Sequence, residues 1–166
     1  PVIDNNHVAC RFPARTHWLY AQTGFGQPSF NCPTYDEWRA LVNPQQATLV
    51  FASDYLNNPS SMFGHTFLRL DAPGQTEDTR LLAYAINFAA ETNTKNPFVF
   101  AFKGLTGGYP GLFSLMPYYE KVKEYSDMEN RDLWEYQLSL TPDEVHLLIS
   151  HLWELRSVEF PYYFST

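Results

Sequence analysis

Basic side chains are few in this 166-residue sequence, with 11 Lys and Arg against 18 Asp and Glu and a net charge of −7. Phosphate neutralisation needs clustered Lys and Arg, so this scarcity argues against nucleic acid as a partner. It argues equally against a polybasic membrane anchor. No apolar run approaches the ~18 residues that a transmembrane helix requires. The start has no basic segment leading into a short apolar core, so no signal peptide is read there. Pro1 is not an initiator residue, and the chain reads as a processed or excised piece of something longer. Cysteine is limited to Cys10 and Cys32. Neither sits in a C-x-x-C pattern, which disfavours structural zinc.

What is abundant is aromatic: 13 Phe, 11 Tyr and 4 Trp make up 17% of the chain. That suits a packed core, and it also suits a surface meeting lipid or peptide. The length suits one domain able to bury ~70% of its unfolded surface. The lone cysteine pair favours a disulfide over two unrelated thiols, and with it an oxidising compartment. Such a bridge closes a loop of about 23 residues and stabilises by roughly 3 kcal/mol in the chain-entropy picture.

The pattern predicts an α+β domain, an antiparallel sheet with packed helices. Residues 1–33 are rich in Pro, Asn and Gly and read as an irregular arm, leaving 34–166 as the domain. A helix is expected over 34–42, with Thr34 and Glu37 at capping-box spacing and Asn43-Pro44 as its stop. Strands are expected over 48–55, 65–71, 80–88 and 131–140, the first three as a meander, with Pro73-Gly74 turning the loop after the second. Residues 118–128 have helical spacing. Four glycines and a proline between Gly104 and Gly111 predict a turned loop over a cleft rather than helix or strand interior. No GxxxxGK[ST] motif accompanies them, so a phosphate loop is disfavoured. The clearest helix starts at Thr141-Pro142-Asp143-Glu144, with Val145, Leu148, Ile149, Leu152 and Leu155 along one face. On it His146 and His151 are five apart, the wrong spacing for a metal pair.

Asn57 to Leu70, NNPSSMFGHTFLRL, carries the most chemistry. A polar, turn-rich run passes through Gly64 into His65 and then into strand alternation. Imidazole titrates near neutrality, so a histidine at a strand mouth is a natural general base; the plainer reading is a strand cap. Ser60 and Ser61 are the nearest hydroxyls, without a G-x-S-x-G elbow. Asp54, Asp71 or Asn87 could orient the ring, although spacing alone reads Asn87 as satisfying backbone groups. Arg69, on the same strand face as His65, could bind an anionic group or pair with Asp71 or Glu91. Asp127, Glu129 and Asp132 read as a solvated cluster.

NPSSMFGHTFLR, together with CRFPARTHWL, AYAINFAAET, FKGLTGGYPG, YYEKVKEYSDMENRDLWEY and HLWELR, resembles the Lnb-type family of bacterial periplasmic domains, which is linked to lipoprotein N-acylation. The resemblance covers nearly the whole chain. It implies a circularly permuted papain-like (NlpC-type) thiol enzyme, with His65 as the base and Asn87 as the residue that orients it. Ser61, Arg69 and Tyr109 are the candidate substrate contacts. The family's cysteine comes late, in an Asn-Cys-Ser run expected to follow FPYYFST, where this chain stops. The expectation is therefore a periplasmic piece that carries the base and lacks the nucleophile, inactive alone. Its expected partners are a lipoprotein or phospholipid substrate and the rest of the same protein, with self-association through the open edge. No metal or organic cofactor is called for in thiolate chemistry. Two other readings remain: a thiol amidase of the cell envelope, and a periplasmic binding domain without catalysis.

Overall fold

A computed structural model describes residues 5–26, 28, 30–54, 64–92, 94 and 96–164, with backbone alone at 127. Its centre is a six-stranded antiparallel sheet in the order β5-β1-β2-β3-β4-β6. The strands are β1 Gln46–Ala52, β2 His65–Asp71, β3 Tyr84–Ala90, β4 Tyr109–Pro117, β5 Leu133–Gln137 and β6 Phe160–Tyr162. The first four form the meander. The helices are α1 Val8–Arg11, α2 Pro13–Thr23, α3 Pro33–Val42, α4 Pro97–Thr106, α5 Tyr118–Val122 and α6 Pro142–Leu155. This is an α+β fold.

Strand alternation gives the sheet two unlike faces. On one, Ala47, Leu70 and Ile86 pack with Val42 of α3 and Ile149 and Leu152 of α6. On the other, Val50, Ala52, Phe67 and Ala85 pack with Tyr118 of α5 and with Tyr125. Tyr125 belongs to a π-helical turn, Lys123–Met128, that continues α5. The predicted α6 forms with its whole capping box: Thr141 Oγ1 accepts from the Glu144 N–H, and the Glu144 carboxylate accepts from the Thr141 N–H at 2.8 Å.

Several elements depart from expectation. The arm is helical over α1 and α2, because Pro13 occupies the first turn of α2, where its missing N–H costs nothing. The arm is tied down by a Cys10–Cys32 disulfide with Cα atoms 5.3 Å apart. It is held further by the Trp153 indole N–H on the Cys10 carbonyl at 2.8 Å and by the Arg15 N–H on Glu154 at 2.9 Å. Helix α3 starts one residue early, so Thr34 lies inside it and caps nothing; Cys32 is its N-cap. Residues 80–82 make a 3₁₀ turn, and β3 begins only at Tyr84.

The glycine-rich segment is not a loop. Gly104 lies inside α4, where a Cβ would sit 2.2 Å from the Phe164 ring, and Gly107 ends the helix at φ +73°. Close approach to a residue 60 positions away explains a helical glycine that local propensity disfavours.

Candidate functional site

His65 is the first residue of β2, paired with Ala52 of β1. The chain enters through Gly64 at φ +82°, where a Cβ would also meet Phe51 at 2.6 Å. The imidazole lies beside Phe67 and Tyr125, with ring centroids 6.3 and 6.0 Å away. Asn87 stands in the middle of β3, 2% exposed. Its Oδ1 is 2.6 Å from His65 Nε2. An amide oxygen only accepts, so Nε2 carries the proton and Nδ1 keeps its lone pair. Ser114 of β4, opposite Asn87 in register, donates to the Asn87 carbonyl at 3.3 Å. Spacing had favoured a backbone-satisfying role for Asn87; its side chain instead holds the histidine ring.

Burial pushes the His65 pKa below its ordinary value, and Lys121 and Arg131 push the same way, against the Asn87 bond. The ring is thereby kept neutral, the form in which Nδ1 can accept a proton. Both cations reach the site around Tyr125, with Lys121 Nζ 5.0 Å and Arg131 Cζ 4.6 Å from its ring centroid. Arg131 also donates to the Ser53 carbonyl at 2.5 Å, the Ala52 carbonyl at 3.2 Å and Glu129 at 2.8 Å. It thus clamps the end of β1 that pairs with His65. Lys121 donates to Glu124 at 2.7 Å. Burial and Glu124 raise the Tyr125 hydroxyl above its ordinary range, so it stays protonated.

Further along β2, on the same face, Arg69 is 6% exposed and fully occupied. It donates to Asp71 at 2.7 Å and Glu135 at 2.5 Å, and lies over the Tyr118 ring. Tyr118 Oη donates to Glu135 at 2.6 Å, and Thr48 Oγ1 to Asp71 at 2.9 Å. Burial works against the Glu135 carboxylate, but Tyr118 and Arg69 hold its pKa below the usual value. Polar side chains here, with Arg80, line a cavity of about 260 Å³.

The structure brings His65 and Asn87 together and gives Arg69, Asp71 and Tyr109 other partners. Arg69 has no charge left for an anionic substrate, because two carboxylates already compensate it. Tyr109 lies apart from this pair: alternation along β4 turns it to the α3/α6 face, opposite Asn87, where it is buried against Phe100 and Phe164. Asp71 serves Arg69 and Thr48 and does not orient the imidazole. Glu129 is paired rather than solvated. Ser60 and Ser61 lie outside the described residues. Cys10 and Cys32 are bonded to each other, so neither is a free thiol. No His, Cys, Asp and Glu cluster able to hold a metal is found among the described residues.

Lys121, Tyr125 and Arg131 were not singled out from sequence. The available signal was Tyr118, Lys121, Val122 and Tyr125 at i, i+3, i+4 and i+7, a helix stripe in which a lysine breaks the apolar pattern.

The family profile described as the Lnb N-terminal periplasmic domain matches residues 34–166. The chain belongs to that family, and it is a periplasmic domain. No curated protein and no solved structure gave a significant match. Among the described residues no helix is long and apolar enough to cross a membrane.

Proposed function

We infer that this domain supplies the general base of a thiol acyltransferase acting on lipoproteins or phospholipid acyl chains, built on a circularly permuted papain-like plan. The observation that carries this reading is the 2.6 Å bond between His65 Nε2 and the buried Asn87 amide oxygen. It leaves Nδ1 as the acceptor, as a thiol–imidazole–amide constellation needs. The nucleophile is a cysteine carried elsewhere in the protein, since both cysteines here are in the disulfide.

In the first half-reaction, Nδ1 takes the thiol proton as sulfur attacks the acyl ester carbonyl. The imidazolium returns that proton to the departing alkoxide, leaving a thioester. In the second, an amine such as a lipoprotein N-terminus attacks the thioester, His65 accepts the amine proton, and the thiolate leaves. Asn87 fixes the tautomer in both directions.

The test uses the full-length protein, with transfer from phospholipid to an amine acceptor and acyl-enzyme mass as readouts. Replacing His65 by Ala should lower the rate by ~10²–10⁴-fold at unchanged thermal stability. Full activity in that variant overturns the base assignment. Activity of the 166-residue chain by itself overturns the thiol mechanism.

A further inference from the structure

Helix α4, PFVFAFKGLT, is apolar apart from Lys103 and Thr106, a composition that belongs either in a core or in lipid. Its inner side is packed, with Phe100 on Phe164 at 4.9 Å between ring centroids and Gly104 against the same ring. Its outer side is bare: Phe98 is 86% exposed, Phe102 69% and Leu105 63%. These three stand at i, i+4 and i+7 and make one stripe.

We propose that α4 is a membrane-docking helix that seats Phe98, Phe102 and Leu105 in the acyl-chain boundary of a phospholipid surface. The chemistry of the outer face points to lipid rather than to a protein. Protein interfaces carry about one hydrogen bond per 100–200 Å² and a polar rim. This face offers neither charge nor free hydrogen-bonding side chain. The hydroxyl of Thr106 is turned back on the Phe102 carbonyl at 2.8 Å. The one charge on the helix, Lys103, leans over the Tyr109 ring at 5.5 Å.

The helix is capped at both ends, which lowers the cost of meeting an apolar medium. Pro97 has no N–H. The N–H groups of Phe98 and Val99 donate to the Asn96 side chain, and that of Phe100 to the Asn96 carbonyl. At the other end the Gly107 and Gly108 N–H groups close on the Lys103 carbonyl, and the Phe164 N–H on the Gly104 carbonyl at 2.9 Å.

Strand β2 begins at His65 and antiparallel β3 ends at Ala90, so α4 and His65 share one end of the sheet. They lie on opposite faces there, because α4 packs through Phe100 on Tyr109 and Phe164. The vesicle contact does not rest on the acyl-transfer reading.

The experiment is sedimentation of the chain with phosphatidylcholine vesicles, alongside Phe102→Trp fluorescence quenched by brominated acyl chains. The wild type should co-sediment in low and high salt alike, because the contact is uncharged, and the tryptophan should be quenched. A Phe98→Ser, Phe102→Ser, Leu105→Ser variant should lose binding by roughly tenfold or more while keeping its melting temperature, since all three side chains are exposed. The His65→Ala chain should bind as the wild type does, so failure of the catalytic reading leaves this result standing. Wild-type chain that stays in the supernatant overturns the proposal. So does a serine variant that binds normally, or a stripe buried in a dimer that ignores vesicles.

Discussion

On the α3/α6 face of the sheet, Val42, Ala47, Leu70, Ile86, Ile149 and Leu152 meet with no polar side chain among them. On the α5 face, the sheet presents His65 and Arg69 of β2, Asn87 of β3 and Glu135 of β5, and the covering segment adds Lys121, Tyr125 and Arg131. Desolvating charges is expensive, and an ion pair repays it only with good geometry and further hydrogen bonds. A chain selected for stability alone has no reason to collect a buried lysine, two buried arginines and a half-buried histidine on one face. The other face, reinforced by the disulfide and by the Tyr35, Trp38 and Trp153 rings, holds the fold mainly with apolar and aromatic contact, Ser150 and Glu154 being the buried polar side chains of α6.

The largest effect expected from this contrast lies on the stabilising side. Trp153 is buried, packs against Tyr35 and Trp38 at 5.5 and 5.3 Å between centroids, and anchors the arm through Cys10. Trp153→Ala should cost about 3–5 kcal/mol, read from denaturant midpoints, and leave the pH dependence contributed by His65 as it was. A cost below about 1 kcal/mol breaks the assignment of this cluster to stability.

Next in size is the charged network. Arg69→Met leaves Asp71 and Glu135 without their shared cation, and should cost about 3 kcal/mol, the lower end for a broken buried pair because Glu135 is partly exposed. A second change, Glu135→Leu, removes a carboxylate left with only the more distant Arg80 as cation, at 3.5 Å, and should recover part of the loss rather than add to it. Simple additivity would show that the three groups act separately.

The two halves of this picture differ in how far they could be read beforehand. Helix α6 was legible because its signals are local: a capping box and an apolar stripe within 14 residues. The strand opening at His65 was legible for the same reason, from Gly64 and the alternation after it. Asn87 was legible only through resemblance, because its partner is 22 positions away and on another strand. Helix α4 was lost because a glycine reads as a breaker until Phe164 is known to press on it. Lys121 and Arg131 were not singled out, since nothing local shows that both will close around Tyr125. Local rules find elements; the pairings that make the site depend on distant residues.

The smallest effect is the most specific. His65 and His146 both have pKa values below the ordinary imidazole value, each chiefly through burial, with nearby cations adding to it. Above about pH 6.5 both are neutral folded or unfolded and add nothing to the pH slope. As the pH falls through that value the unfolded chain takes up protons that the native chain refuses, so stability drops, until the native groups titrate at their lower values. Each group contributes up to about 1.4 kcal/mol per pH unit within that window. A His65→Gln variant should flatten the loss of stability just below about pH 6.5 and leave the part due to His146, measured as denaturant midpoints from pH 7 downward. In the full-length protein, the acid limb of the rate profile should lie below pH 6.5 for the same reason. Asn87→Ala removes the one hydrogen bond that favours the charged ring, so it should move that limb lower still while slowing the reaction. An acid limb that moves up in this variant, or a stability slope indifferent to His65, would mean that the α5 face does not hold this imidazole neutral, and the contrast between the two faces would lose its chemical half.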